Sequence, residues 1–344
     1  MSIPQELAFD FRSDTVTQPD EAMRQAMLTA PLGDDVFGED PTVNALQTKM
    51  AQLTGHDAGL FFPSGCMANL TALMCHAEPG SLLFSGGQSH IKLYELGSSA
   101  RLAGLVQVDI DDQHGWLDLD QLRKLWPPDI YYLAQPGVIT VENTHNILGG
   151  LIYPLEQLAD LASFANSVNT PLHMDGARLF NAAVATGFPI SAWTRHVDSV
   201  MMCFSKSLGA PVGSMLTGSA VLIEKARRIR KLLGGGMRQA GILAAAGLYA
   251  LENHLPLLDR DHQRCLRVSE GLSNLPWLEV VHPQSNILIY DLDRPVADAY
   301  VAYLAEQGLQ LLAIGPQKVR AVFHRHISDE ATEQLVQLTR TWEP

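Results

Sequence analysis

Hydrophobic positions along this chain follow two patterns, helical spacing and short continuous runs, and from about Gly33 the two take turns. The first unit reads clearly. Asp40 suits a helix N-cap and Pro41 the first helical position, while Val43, Leu46, Met50 and Leu53 recur at helical spacing until Gly55 ends the run. AGLFF (58–62) then reads as a buried strand, Pro63, Ser64 and Gly65 as a turn, and 66–77 as a second helix. Further strand-like runs are SLLF (81–84), GLVQVDI (104–110), DIYYLA (129–134), VITVEN (138–143), TPLHMD (170–175), DSVMMCF (198–204) and SMLTG (214–218). Helix-like stretches such as 154–168 lie between several of them. The alternation predicts βα units on a mostly parallel sheet of six or seven strands, covered on both faces. After the glycines at 234–236, an Ala- and Leu-rich helix over 237–254 looks buried on most sides. Beyond Pro256 the order becomes helix, strand pair (LEVVHP, NILIYDL), helix (297–307), strand (VRAVFH) and helix (329–342), a smaller α+β domain.

Composition sharpens this picture. Hydrophobic residues make up 47% of the 344 and charged residues 18%, against a usual charged share of roughly a quarter. Much of the chain must therefore avoid water, in a large interior or under another subunit. With 24 Lys+Arg against 37 Asp+Glu the net charge is −13, and no basic run could track a phosphate backbone, so a nucleic-acid partner is not expected. The longest apolar run, around 241–251, is too short to span a bilayer. MSIPQELAFDF has neither the basic start nor the apolar stretch of a signal peptide, and a cytoplasmic protein is expected. Cys66, Cys75, Cys203 and Cys265 show no CxxC or Cys/His ligand spacing, so neither a disulfide framework nor a metal is expected.

The strongest chemical feature is TPLHMDGAR, a strand-like run that ends in Asp175 and continues into Gly176 and Arg178. Open α/β sheets bind ligands outside the carboxyl ends of their strands. A second run, DSVMMCF, ends in Ser205 and Lys206, which places a lysine at the same edge if the two strands are neighbours. Singly, Asp175 reads equally well as a helix cap and Lys206 as a surface lysine. Together they fit pyridoxal phosphate, which needs a lysine for its aldehyde and a carboxylate to keep its ring nitrogen protonated. The turn at Ser64, Gly65 and Cys66 leads from a strand into a helix, and such a turn offers free N–H groups and a positive dipole end to a phosphate.

At these residues the chain resembles the low-specificity L-threonine aldolases, pyridoxal-phosphate enzymes of the aspartate-aminotransferase-like fold (fold type I). The resemblance spans nearly the whole chain, through DFRSDTVTQP (10–19), GDDVFGEDPTVNALQ (33–47), PSGCMANLTAL (63–73), SHI (89–91), ENTHN (142–146), HMDGARLFNA (173–182), CFSKSLGAPVGS (203–214), GGGMRQAGILAAAG (234–247) and VRAVFH (319–324). It implies an α/β fold with a large cofactor domain over 14–254, built on a mostly parallel seven-stranded sheet, and a small C-terminal domain over 255–344. The segment 1–13 is expected at the active site. The implied reaction is retro-aldol cleavage of L-threonine, L-allo-threonine and other β-hydroxy-α-amino acids to glycine and an aldehyde, in a homotetramer built as a dimer of dimers.

Carried over residue by residue, the resemblance implies that Lys206 forms the Schiff base, Asp175 pairs with the ring nitrogen and His90 stacks on the ring. Gly65 and Cys66 match the family's phosphate-binding Gly-Thr, a departure in which a weakly donating thiol replaces a hydroxyl, with Ser64 or Ser205 to compensate. Arg178 and Arg320 are expected to clamp the substrate carboxylate with help from Ser13, and Arg238 to reach the cofactor phosphate across a subunit boundary. His90 is the candidate general base, directly or through a water. Tyr131 or Tyr132 stands where some relatives carry a second histidine, and His145 has a structural role or a share in the proton transfer. The same Lys/Asp pair also serves aminotransferases and β-eliminating lyases, and a cofactor-binding protein without turnover is a further alternative. A dinucleotide-binding oxidoreductase is disfavoured, because no G-x-G-x-x-G follows the first strand.

Overall fold

The computed structural model describes residues 9–342. Residues 1–8 of the expected active-site segment and the last two of the expected C-terminal domain lie outside the described residues. In chain order the strands are β1 (Phe9–Asp10), β2 (Ala58–Phe62), β3 (Leu82–Gly86), β4 (Val106–Ile110), β5 (Pro136–Glu142), β6 (Leu172–Asp175), β7 (Ser199–Cys203), β8 (Ser214–Gly218), β9 (Leu278–Val280), β10 (Ile287–Leu292), β11 (Leu309–Gln310), β12 (Leu312–Ala313) and β13 (Lys318–Val322). Seven of them form one sheet in the order β2-β8-β7-β6-β5-β3-β4. Only β8 runs antiparallel to its neighbours, so the carboxyl ends of β2, β5, β6 and β7 point the same way. Apart from the edge strand β4, where Val106 and Asp109 are exposed, the strands are largely buried because helices cover both faces and leave no polar side to alternate with.

The helix Pro41–Thr54 begins as its sequence predicts: Asp40 accepts hydrogen bonds from the Thr42 and Val43 N–H groups, and Gly55 closes the helix in the left-handed region at φ 71°. The buried Asp40 carboxylate also accepts from Gly241 N at 2.9 Å, which ties this helix to the start of Gly241–Asn253. The latter helix is shorter than its composition suggests, because 237–240 is a turn in which the Arg238 carbonyl accepts from Asp35 N at 3.0 Å.

One expected strand is absent. DIYYLA (129–134) forms a turn closed by Leu133 N donating to the Ile130 carbonyl at 3.0 Å. Its aromatic residues favour strands, but Tyr131 and Tyr132 are exposed here, so the segment has no apolar face packed in the way a strand of this sheet would need.

The second sheet runs β12-β13-β10-β9, antiparallel throughout. It packs with helices Leu258–Leu272, Ala297–Glu306 and Asp329–Thr341 around its own apolar cluster, which includes Tyr300, Phe323 and Phe11. Phe11 is seated there by the chain itself. Its N–H donates to Gln310 O at 2.7 Å, and its carbonyl accepts from Val322 N at 2.8 Å, so the segment after β1 is stitched to the small sheet and delivers Ser13 and Asp14 toward the large one. Among the described residues, no helix is long and apolar enough to cross a membrane.

Candidate active site

The chemistry-bearing residues gather where β2, β5, β6 and β7 end. Asp175 closes β6, opposite Glu142 on one side and Met201 on the other. A side chain at the next position is impossible without movement, since a Cβ on Gly176 would lie 2.8 Å from the Met201 carbonyl oxygen. The chain therefore turns at once, and Arg178 precedes the helix Leu179–Thr186.

Asp175 is buried and accepts hydrogen bonds from Ala177 N at 3.1 Å and from Asn69 Nδ2 at 2.9 Å. The same Asn69 nitrogen donates to Glu95 Oε1 at 2.8 Å. Glu95 Oε1 lies 3.0 Å from His90 Nδ1, which is itself 3.9 Å from Asp175 Oδ2. Burial opposes a charged His90, yet Glu95 and Asp175 outweigh it and raise the pKa above the ordinary 6.5. Burial raises Glu95 as well, with Asp175 adding to the effect. His90 N donates to Glu142 Oε2 at 2.7 Å, which fixes the short helix His90–Leu93 against β5. With Nδ1 facing Glu95, the ring's Nε2 is left without a partner among the described residues.

Arg178 is buried and almost fully committed. Its Nε and one terminal nitrogen hold Asp14 in a two-pronged grip at 2.8 and 2.7 Å, and the other terminal nitrogen donates to Asn146 Oδ1 at 3.0 Å. Ser207 Oγ also donates to Asp14 at 2.9 Å. Burial works against the Asp14 charge, but Arg178 and then Lys206 hold its carboxyl well below the usual range. Arg320 is different. It is 6% exposed, its Nε has no partner among the described residues, and its one hydrogen bond is a long 3.5 Å contact to the Arg12 carbonyl. Burial and the nearby Arg178 pull its pKa down to about 10. A buried cation without a counter-charge is costly, and it marks a place prepared for an anion.

The turn after β2 offers a second place for an anion. Ser64 caps the helix Gly65–His76 by accepting from Met67 N, which leaves the Gly65 and Cys66 N–H groups at the helix start without partners among the described residues. A Cβ on Gly65 would come within 3.0 Å of Cys203 Sγ and 3.1 Å of Met201 Cε, so a side chain here would have to push these two side chains back by a few tenths of an ångström. Cys66 is exposed, and burial of its surroundings together with Glu95 and Asp175 pushes the thiol up to about 11, which keeps it protonated. Lys206 and Ser205 are half-buried after β7, and Thr17 Oγ1 donates to the Lys206 carbonyl at 2.7 Å. Lys206 makes no ion pair among the described residues, although its charge acts on Asp14, His90, Cys66 and Cys203 together.

A pyridoxal phosphate fits this set. A buried carboxylate stands ready for a protonated ring nitrogen, an unpaired lysine for an aldehyde, and free N–H groups at a helix start for a phosphate. The ligand atoms of His90, Glu95 and Asp175 lie within 4.8 Å of one another; Glu95 Oε1 and both Asp175 oxygens are already hydrogen-bonded, to Asn69 and the Ala177 N–H, while the buried Glu95 Oε2 has no partner among the described residues.

Two expected site residues stand apart in this chain. Tyr131 is 97% exposed in the turn that replaces the expected strand, with its ring against Tyr132. The Arg238 side chain is 59% exposed and lies 3.4 Å from Asp34. Ser13 adjoins Asp14 and caps a short turn by accepting from Thr15 N at 3.2 Å. Sequence reading overlooked Asp14, Asn69, Glu95 and Asn146. Their signals were present, in RSDT, on the helix after the phosphate turn, one turn beyond His90 and in ENTHN, but nothing local tied them to their partners.

The beta-eliminating lyase family model matches residues 10–295. The low-specificity L-threonine aldolase of Escherichia coli K12 is 42% identical over 334 residues, covering 97% of this chain and 98% of its own. Low-specificity L-threonine aldolase 1 of Arabidopsis thaliana is 39% identical over 328 residues, covering 93% and 92%. Among solved structures, Leishmania major threonine aldolase superposes with a TM-score of 0.83 at 18% identity, covering 96% of this chain and 99% of its own. Sphingomonas wittichii serine palmitoyltransferase superposes at 0.76 and 20% identity, covering 96% and 85%, and these two likenesses speak for the fold.

Proposed function

The chain belongs to the beta-eliminating lyase family and to its low-specificity L-threonine aldolases, and from that premise we propose how its own residues cleave L-threonine and L-allo-threonine to glycine and acetaldehyde. The observation that carries this reading is the buried Arg320, which makes no ion pair among the described residues and lies within the field of Arg178 and Asp14. An amino-acid carboxylate is the anion that answers it. Incubation with L-threonine and pyridoxal phosphate should release acetaldehyde and glycine in equal amounts; ammonia and a keto acid instead would mark an eliminating lyase or an aminotransferase.

Bound pyridoxal phosphate supplies the electron sink for the pair released when the Cα–Cβ bond breaks. Lys206 would hold the cofactor through Nζ, Asp175 would carry the negative charge for its ring nitrogen, and Gly65, Cys66, Ser64 and Ser205 would supply its phosphate's partners. Arg320, with the edge of Arg178 that Asp14 leaves open and Ser13 beside it, orients the substrate carboxylate and so decides which bond around Cα breaks. His90 accepts the β-hydroxyl proton at Nε2. Its Nδ1 is engaged by Glu95, so the free nitrogen is the one available to the substrate.

The proton-free form of His90 does this work, and its pKa is raised by Glu95 and Asp175 against the effect of burial. Loss of kcat/KM on acidification should therefore centre above the ordinary 6.5, and Glu95→Gln should move that limb to lower pH. A pH–rate profile with no acid limb above this value would remove His90 from the role. At the phosphate, Cys66→Thr restores a strong hydroxyl donor and should tighten cofactor binding by about 3- to 10-fold, as read by fluorescence titration.

The active form is proposed to be a cytoplasmic homotetramer. Leu28, Leu32, Phe37 and Leu232 are exposed on segments flanking the loop that carries Arg238, an apolar surface suited to a second copy. In that assembly Arg238 would reach a neighbour's phosphate site and Tyr131 a substrate. Light scattering should report the mass of four chains, and Phe37→Glu should lower it.

A further inference from the structure

Behind the carboxylate pair runs a line of buried polar side chains to which the proposed reaction assigns no role. Asn69 Oδ1 lies 3.1 Å from His173 Nε2, His173 Nδ1 lies 2.8 Å from Ser199 Oγ, and Ser199 Oγ lies 2.7 Å from His76 Nε2. Asn69, His173 and Ser199 are fully buried. His173 and Asp175 sit two positions apart on β6, so the pleat turns both to the face that Asn69 covers.

The direction of every bond in this line is forced. Carboxylates only accept, so both Asn69 N–H groups face Asp175 and Glu95, and Asn69 Oδ1 must accept from His173 Nε2–H. Burial, with His76 adding, pulls His173 down to about 3, so the ring is neutral and its Nδ1 accepts the Ser199 hydroxyl. The Ser199 oxygen then accepts from His76 Nε2–H. The bonds thus run head to tail from His76 to the two carboxylates, an arrangement in which each bond polarises the next.

We propose that Asn69, backed by His173 and Ser199, is a positioning residue that keeps Asp175 and Glu95 together as an ionised pair, one for the cofactor ring and the other for His90. Two carboxylates sharing one site would otherwise favour protonation of one of them. The other charged or ionisable groups around the pair are His90 from the following turn, Glu142 at the end of β5, His145 just beyond it, Lys206 after β7, and the Cys66 and Cys203 thiols. None of them supplies two diverging N–H donors from one uncharged nitrogen, as the Asn69 carboxamide does. The assignment rests on the functional reading above, because it gives Asp175 its ring-nitrogen partner.

The test is cofactor affinity as a function of pH, using the full chain and pyridoxal phosphate. Asn69→Leu keeps the volume and removes both donors. Its dissociation constant should rise by about 10- to 100-fold, and the ratio to wild type should grow as pH falls from about 8 to 6, because the unsupported pair takes up a proton there. A packing defect alone would give a ratio that does not change with pH. Ser199→Ala touches neither carboxylate and should show the same trend at about 3-fold, and it decides the matter if Asn69→Leu does not fold. Unchanged affinity, or a ratio constant with pH in the folded variant, overturns the positioning role. Wild-type protein that neither binds the cofactor nor cleaves L-threonine overturns the functional reading along with it.

Discussion

Lys206→Ala is expected to lower L-threonine cleavage by about 10³-fold or more, while leaving the fold and the substrate clamp in place. Lys206 is half-buried at the end of β7, makes no ion pair among the described residues, and lies within the fields of Asp14, His90 and Cys66. Its side chain makes no hydrogen bond or ion pair among the described residues, and Thr17 would still donate to the carbonyl at position 206 in the alanine variant. The loss should therefore fall on turnover, with a melting temperature near wild type and no absorbance of lysine-bound cofactor. An alanine variant with full aldolase activity would remove Lys206 from the reaction.

Arg320→Met is expected to separate activity from stability. The guanidinium is the substrate carboxylate's best partner, and a charge-assisted pair in a buried site is worth several hydrogen bonds, so kcat/KM for L-threonine should drop by about 10²- to 10³-fold, mostly through KM. Stability should move the other way or stay level. Arg320 is buried with its Nε unpaired and only a 3.5 Å contact at one terminal nitrogen, so the substrate-free protein carries its desolvation cost with little return. A methionine of similar length fills the same space without a charge. Thermal melts of the cofactor-free variant should therefore equal or exceed wild type, and a large drop would show that Arg320 has a structural partner. Arg178 makes the contrasting case. It holds Asp14 through two bonds and Asn146 through a third, so Arg178→Met leaves a buried carboxylate stranded and should cost about 3–5 kcal/mol of stability.

The difference between these two arginines was invisible in the sequence. Both were expected to clamp a carboxylate, and nothing near either residue says that one is held side-on by Asp14, 164 positions away, while the other makes no ion pair among the described residues. Tyr131 shows the opposite problem. Its local pattern reads as a strand, yet the segment is an exposed turn with Tyr131 and Tyr132 against each other.

What the sequence by itself determined was whatever near neighbours encode: the seven strands of the large sheet, the Asp40 cap and Gly55 stop, and the placing of Asp175 and Lys206 at strand ends. Hydrophobic period and turn chemistry act over a few residues, so they can be read in one dimension. What only the tertiary structure decided was which of these ends meet. Asn69 reaches Asp175 across 106 positions, and Asp14 enters the site because β1 and Phe11 are stitched to the small sheet. Strand order sets those contacts. It results from burying every apolar strand face at once, which is a property of the whole chain and of no single segment.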